Sequence, residues 1–432
     1  MIIRRAGSDP SCRAGREVEP EFRHRETRRA TFIEFNRQVR PRLVKHFQVS
    51  TMQIDRRRFL TTAGAAGLSL AAHRVLASQT ALPLRIAVRS PWMANQVAVT
   101  RDNILFLGLP RYARDQPTPS LARREADGSL APFPGNAWNE WQPGDDGRES
   151  FVYLNSVHIF ADETIWCVDQ GSLSPGVFPH VNSTLHRDAQ KLVQLDAHTG
   201  QILNILRFDE TILPLGAQMN DVRFHRSTMY ITDSGLGGLI VHDMTTGKTL
   251  RRLSGSKVVK ASAAHVPAIL AHIKGNQTFH PPNSDLIEIT ADGKWLCWAA
   301  PTGPLYRIQT QYLNDPDLSD TQLEAHVEHV FDNSFSGGCA MDSLGNVYFS
   351  ETVTHQITLL SPLGRTAVLA ADERLVRPDG SFISADRHLY IPVKQPSKSD
   401  VKYRADAPFV VYSIALPKLF YGIPIGGAVT GA

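Results

Sequence analysis

"QMNDVRFHRSTMYITDSGLGGLIVHDMTTGKTL", residues 218–250, reads as three short strands with turns between them. The runs around Val222-Phe224, Met229-Ile231 and Leu239-Val241 are β-branched, aromatic and apolar, which suits a pleated, half-buried surface. The Ser-Gly-Leu-Gly-Gly and Met-Thr-Thr-Gly-Lys segments between and after them have turn chemistry. Asn220 and Asp221 open the first strand with two polar side chains. Either they form a turn by bonding their own backbone, or they are the rim of a site, and this stretch alone leaves both readings open.

The same texture runs through residues 78–432, with turn segments "DAHTGQ", "DMTTGK", "ADGK", "SLGN" and "PLGR" and almost no helical periodicity. A long single domain of short hairpins predicts an all-β fold, a six-bladed β-propeller in which four-stranded blades surround a channel. The blades can be aligned on a hydrophobic-aromatic step in the second strand of each: Leu105-Phe106, Ile165-Trp166, Met229-Tyr230, Trp295-Leu296, Val347-Tyr348 and Leu389-Tyr390. Ten residues before each step stand Asn95, Asn155, Asp285, Gly337 and Asp379, and nine before the third stands Asn220. Five of these six are Asn or Asp. Equivalent positions at the starts of innermost strands form one ring at the channel mouth, and convergent oxygens there are where a ligand or cation binds.

The N-terminal region reads separately. Asp55-Arg56-Arg57-Arg58-Phe59-Leu60, the mild apolar run TTAGAAGLSLAA and a small-residue site ending at Ala77 have the pattern of a twin-arginine export signal over residues 52–77. Its apolar part is shorter than the ~20 residues of a membrane span, so a soluble periplasmic or secreted protein is expected, without stable membrane insertion. Residues 1–51 are arginine-rich without apolar periodicity and read as a mis-annotated or disordered basic extension, with Met52 as the start. They carry 12 Lys/Arg against 6 Asp/Glu, and residues 52–77 carry 4 against 1, so the whole-chain charge of +4 leaves −5 for residues 78–432. The basicity belongs to the leader, and a nucleic-acid partner is not expected.

Several local motifs receive plain structural readings. Cys167, Cys297 and Cys339 lie in strand-like apolar runs and read as buried small hydrophobes, with no Cys-x-x-Cys pair to make a zinc site. "SGLGGL" (234–239) precedes a strand rather than a helix and reads as a strand connection. "HVEHV" (326–330) reads as an edge strand, and Asp162, Asp169, Asp233 and Asp342 as hairpin-turn residues. His158, three residues after Asn155, faces either the channel, where it would bind ligand, or the core.

Five stretches in order resemble the major royal jelly and yellow proteins of insects and their bacterial relatives: "FVYLNSVHIFADETIWCVDQG" (151–171), "KLVQLDAHTGQIL" (191–203), "NDVRFHRSTMYITDSGLGGLIVHD" (220–243), "ADGKWLCWAAPTGPLYRIQTQYLND" (291–315) and "RPDGSFISADRHLYIP" (377–392). The resemblance implies a six-bladed propeller, in agreement with the count above. The ring also resembles that of the gluconolactonase and regucalcin group, which implies a divalent cation, calcium or magnesium, with Asn220 and Asp285 at metal-binding positions. The chain departs from that group at Gly337, where its catalytic Asp stands, and at Asn95, where it has a metal-binding Glu. Asp379 and Asp285 remain as candidate catalytic carboxylates, with Asn95, Asn155, His158, Asn220 and Asp221 as candidate ligand-binding residues. The activities implied are isomerisation of an aminochrome such as dopachrome, or opening of a sugar lactone. The alternative is a non-catalytic carrier or structural propeller, since a fold does not fix a function.

Overall fold

A computed structural model describes residues 81–110, 118–142, 144–171, 188–264, 281–394 and 409–429. The extension at 1–51 and the export signal at 52–77 lie outside the described residues. Six four-stranded antiparallel sheets follow one another along the chain, each built largely from consecutive strands. Their innermost strands are Gln96–Val99, Leu154–Ile159, Met219–His225, Leu286–Ile289, Ser336–Met341 and Phe382–Ile383, and they define blades 1 to 6. All six hydrophobic-aromatic steps fall in second strands, from Leu105–Gly108 in blade 1 to His388–Pro392 in blade 6.

Blade 6 is the exception to sequence order. Its strands run Phe382–Ile383, His388–Pro392, Phe409–Ala415 and then Arg85–Ser90, so a strand from before blade 1 completes the last blade and closes the circle. Past it, a short hairpin of Leu419–Phe420 and Ile423–Pro424 is tied to blade 5 through Asp342, whose carboxylate accepts from the Gly426 amide at 2.8 Å and the Tyr348 hydroxyl at 2.9 Å.

Side-chain alternation along the strands separates core from channel. In blade 3, Val222 and Phe224 join an apolar cluster with Trp166, Met229 and Ile231, while Asp221 and Arg223 form a buried ion pair with each other. The three described cysteines are buried and free, Glu328–Phe331 is the outer strand of blade 4, and residues 234–237 connect two strands of blade 3. Among the described residues, no helix is long and apolar enough to cross a membrane.

Asp162 sits in a hairpin turn, accepting from the Thr164 amide at 3.0 Å. Asp169 and Asp233 correct the hairpin-turn reading: each ends a second strand and is fully buried. The Asp169 carboxylate accepts from the amides of Val152 and Tyr153, both at 2.9 Å, and pairs with Lys191 at 2.8 Å. Asp233 does the same one blade on, accepting from the Gln218 amide at 2.7 Å and pairing with Arg251 at 2.5 Å. These acceptors fix the backbone two or three residues before Asn155 and Asn220.

Candidate functional site

The six aligned positions line one cavity of about 40 Å³ at the channel mouth. In blades 2, 3 and 5 the ladder between first and second strands slips at the aligned residue: between Leu154 and Ser156, between Met219 and Val222, and between Ser336 and Gly338. A bulge inserts an unpaired residue and re-aims its side chain, so Asn155 and Asn220 turn toward the channel together with Ser156 and Asp221. The shorter step in blade 3 is a shorter hairpin: Phe224 pairs with Met229 where blade 2 pairs Ile159 with Ile165.

The amides form a relay around half of the ring. Asn95 Nδ2 donates to the Asn155 carbonyl at 2.9 Å, Asn155 Nδ2 to Asn220 Oδ1 at 3.0 Å, and Asn220 Nδ2 to Asp285 Oδ2 at 3.1 Å. Each donor points the same way round, so the chain ends on a carboxyl group. Polarised chains of this kind strengthen one another in a low-dielectric site.

The other half of the ring is charged. Asp379 accepts from its neighbouring Gly380 amide at 2.9 Å and forms an ion pair with the ammonium of Lys394, which enters two residues beyond the second strand of blade 6. The fifth position is glycine for a steric reason. A Cβ on Gly337 would stand 2.3 Å from the Pro378 carbonyl and 3.3 Å from the Asp379 carboxyl carbon, so the blade 6 segment occupies the space a side chain from blade 5 would need. Gly380 is tighter still, with a Cβ falling 1.0 Å from Gln96 Oε1. Its amide donates to the Asn95 carbonyl at 3.1 Å, stitching the last blade to the first.

A second layer closes the floor. Asp221 accepts from Ser156, from the Val222 amide at 2.8 Å and from Gln96 at 3.4 Å, and pairs with Arg223 at 2.9 Å. Arg223 in turn grips Glu288 with two bonds of 3.1 and 2.8 Å. Desolvation works against the Arg223 guanidinium, but Asp221 and Glu288 outweigh it and keep it charged.

His158 lies below that floor. It does not line the cavity, and its ring packs 4.7 Å from Phe160 and 5.4 Å from Phe382. Burial, with the Arg223 charge adding to it, pushes its pKa well down and keeps the imidazole neutral. The bulge brings Asn155 and Ser156 to the mouth, and two residues further along the strand is roughly 7 Å deeper.

The two ring carboxyls titrate under strain. Burial raises Asp379 to about 6 against the pull of Lys394, which leaves it ionised at neutral pH. Burial and then the charge of Asp379 raise Asp285 well above the usual carboxylate range. Two buried carboxyls that feel each other's charge do not both ionise readily, and Lys394 favours the charge on Asp379 over Asp285. Sequence reasoning missed Lys394, Gln96 and Ser156 as members of the site.

A divalent cation would find Asp285 and the Asn oxygens here, but its second carboxylate is engaged by the Lys394 ammonium. Among the described residues no group of three or more His, Cys, Asp or Glu side chains converges to hold a metal.

Residues 155–363, from the inner strand of blade 2 to the turn after the third strand of blade 5, match the family described as Major royal jelly protein. Over that span the chain is similar to the major royal jelly proteins. Four ring positions fall inside it, while Asn95, Asp379 and Lys394 fall outside. Solved structures similar to this chain include a calcium-binding regucalcin from Agrobacterium tumefaciens, with 13% identity, a TM-score of 0.46, and 81% of this chain and 97% of that one covered. A gluconolactonase from Xanthomonas campestris matches at 11% identity and a TM-score of 0.46, covering 79% of this chain and 99% of that one. Virginiamycin B lyase from Staphylococcus aureus matches at 11% and 0.44, covering 72% and 82%. No curated protein matches the chain.

Proposed function

We propose that this major royal jelly protein relative is exported and binds a small polar molecule at the channel mouth, transferring a proton on it with Asp379 as base and Asp285 as acid. The observation that supports this reading is the pair of buried ring carboxyls whose surroundings drive one toward the neutral and hold the other in the charged form. Asn220 holds the acid in place through its 3.1 Å bond, and Lys394 holds the base. Asn95 and Asn155 orient the relay. The reaction class is general acid–base catalysis. Isomerisation of an aminochrome moves a proton from carbon to Asp379, whereas opening of a sugar lactone adds water, with Asp379 taking the proton of the water that attacks the carbonyl carbon and Asp285 giving one to the leaving ring oxygen. No step in it runs through a metal.

The test is turnover of dopachrome and of a gluconolactone by the purified protein with no added cation, set beside Asp379→Asn and Asp285→Asn. Turnover lost in both variants while both still fold supports the reading. Equal rates in the three proteins would refute it.

A second reading is a carrier, and the cavity volume favours it. About 40 Å³ admits a few waters or one head group, but not a whole sugar ring. A carrier would show saturable binding that Asn155→Ala weakens, with no product formed.

A further inference from the structure

The ring carries a charge that its repeat pattern does not explain. Blades 1 and 4 present proline, Pro110 and Pro301, at the place where blade 6 presents Lys394, two residues after the carbonyls of Gly108, Ala299 and Pro392 that accept from the ring residues Asn95, Asp285 and Asp379. Lys394 alone among these three reaches the cavity wall, and its ammonium lies against Asp379. Asp379 stands in turn where Gly337 leaves room, 3.3 Å from the point a blade 5 Cβ would occupy. Around the same cavity are two further carboxyls, Asp285 and the Asp221 already paired with Arg223, and four side-chain amide oxygens, from Asn95, Gln96, Asn155 and Asn220.

These parts amount to an oxygen-lined pocket with three acidic groups, one of them neutralised from below by Arg223, and one tethered monovalent cation. A hard dication binds through oxygen ligands and depends on carboxylate charge, so it needs the groups that the ammonium now neutralises. We propose that Lys394 is a resident counter-ion that decides whether the ring takes a divalent cation: the ammonium and the metal compete for Asp379, and removing the ammonium turns the mouth into a calcium or magnesium site built from Asp285, Asp379 and the Asn oxygens. The proposal rests on the reading of this ring as the ligand site and assigns Lys394 a task that the proton-transfer reading does not require.

Geometry supports competition over coexistence. The side chain of Asp379 is 8% exposed and has little room for a second cation beside Lys394, whereas the Lys394 side chain is 28% exposed. Gly337 adds no oxygen ligand, so both carboxyls are needed to approach the ligand number of a dication.

The experiment is calorimetric titration of the purified protein with calcium chloride alone at fixed ionic strength, with thermal melts run at each concentration. Lys394→Met is expected to bind calcium at least tenfold more tightly than the parent, equivalent to about 1.4 kcal/mol, and to gain melting temperature with added calcium. Lys394→Arg keeps the charge and should behave as the parent. Asp285→Asn added to Lys394→Met should abolish the gain. If Lys394→Met melts without a cooperative transition, Lys394→Gln replaces it. A gain below tenfold, or no calcium binding in either protein, overturns the proposal, as does a gain that survives Asp285→Asn. Because turnover is measured without added cation, failure of the proton-transfer reading leaves this result standing, and the reverse also holds.

Discussion

Replacing Lys191 with Met separates the scaffold of the ring from its chemistry. Lys191 and Asp169 are both fully buried, and the ammonium donates to Asp169 at 2.8 Å, to the Gly147 carbonyl at 2.8 Å and to the Ala189 carbonyl at 3.0 Å. Met fills much of the same volume but leaves two carbonyls without that donor and an anionic carboxylate without its charge partner. Breaking a buried ion pair from one side costs about 3–5 kcal/mol, a large part of the ~5–15 kcal/mol that holds a domain folded. Asp169→Asn added to Lys191→Met removes the stranded charge. It still loses one of the two oxygens that accept from Val152 and Tyr153, worth roughly 1–3 kcal/mol, so about half of the loss should return. Urea unfolding followed by tryptophan fluorescence reads both variants. A cost under about 1 kcal/mol for Lys191→Met, or a double variant no more stable than the single one, would refute the claim that this pair anchors the strand bearing Asn155.

Other outcomes are expected from the ring itself. Asp379, raised to about 6, keeps its proton when folded over a range where the unfolded chain has lost it, so the stability it contributes is full below about pH 4 and falls by up to ~3 kcal/mol as pH rises through 6. Turnover should rise over the same interval, and Asp379→Asn should flatten both profiles. Asn220→Ala and Asp285→Ala, 65 residues apart, should each weaken ligand binding at least tenfold in calorimetry with small changes in melting temperature; loss of stability alone would make the ring structural. Gly337→Ala forces a methyl against the Pro378 carbonyl and should cost ~1–3 kcal/mol in the same urea assay. Arg56→Lys with Arg57→Lys should hold the protein in the cytoplasm on cell fractionation, and unchanged export would remove the twin-arginine reading.

What the sequence disclosed follows from what repeats in it. The hydrophobic-aromatic steps recur because every second strand is packed between neighbours on both faces, and Trp298, Tyr230 and Tyr348 are accordingly almost fully buried. Counting back from them located all six ring positions, since a bulge at the same register places each of Asn155, Asn220 and Gly337 at the channel. Lys394 escaped because no other blade repeats it; a charge that appears once has no periodicity to betray it. Asp169 and Asp233 were misread for the opposite reason. Both do accept from an amide two residues on, Gly171 and Gly235, as turn formers do, but their decisive partners Lys191 and Arg251 are far along the chain. His158 was left between channel and core because alternation gives a direction without a depth, and the floor formed by Asp221, Arg223 and Glu288 divides the two.

The strand Arg85–Ser90 that completes blade 6 pairs with Phe409–Ala415, and the Gly380 amide reaches the Asn95 carbonyl across the same seam. The pocket is therefore spread over the whole domain, from Asn95 near its beginning to Asp379 and Lys394 near its end. A growing chain carries Asn155, Asn220 and Asp285 before blade 6 brings Asp379 and Lys394, and a product cut short before residue 415 lacks part of the strand that pairs blade 6 with Arg85–Ser90. The chemistry of the mouth is switched on by the last strand to arrive, so the compartment where the chain is made holds either the finished molecule or an inert one.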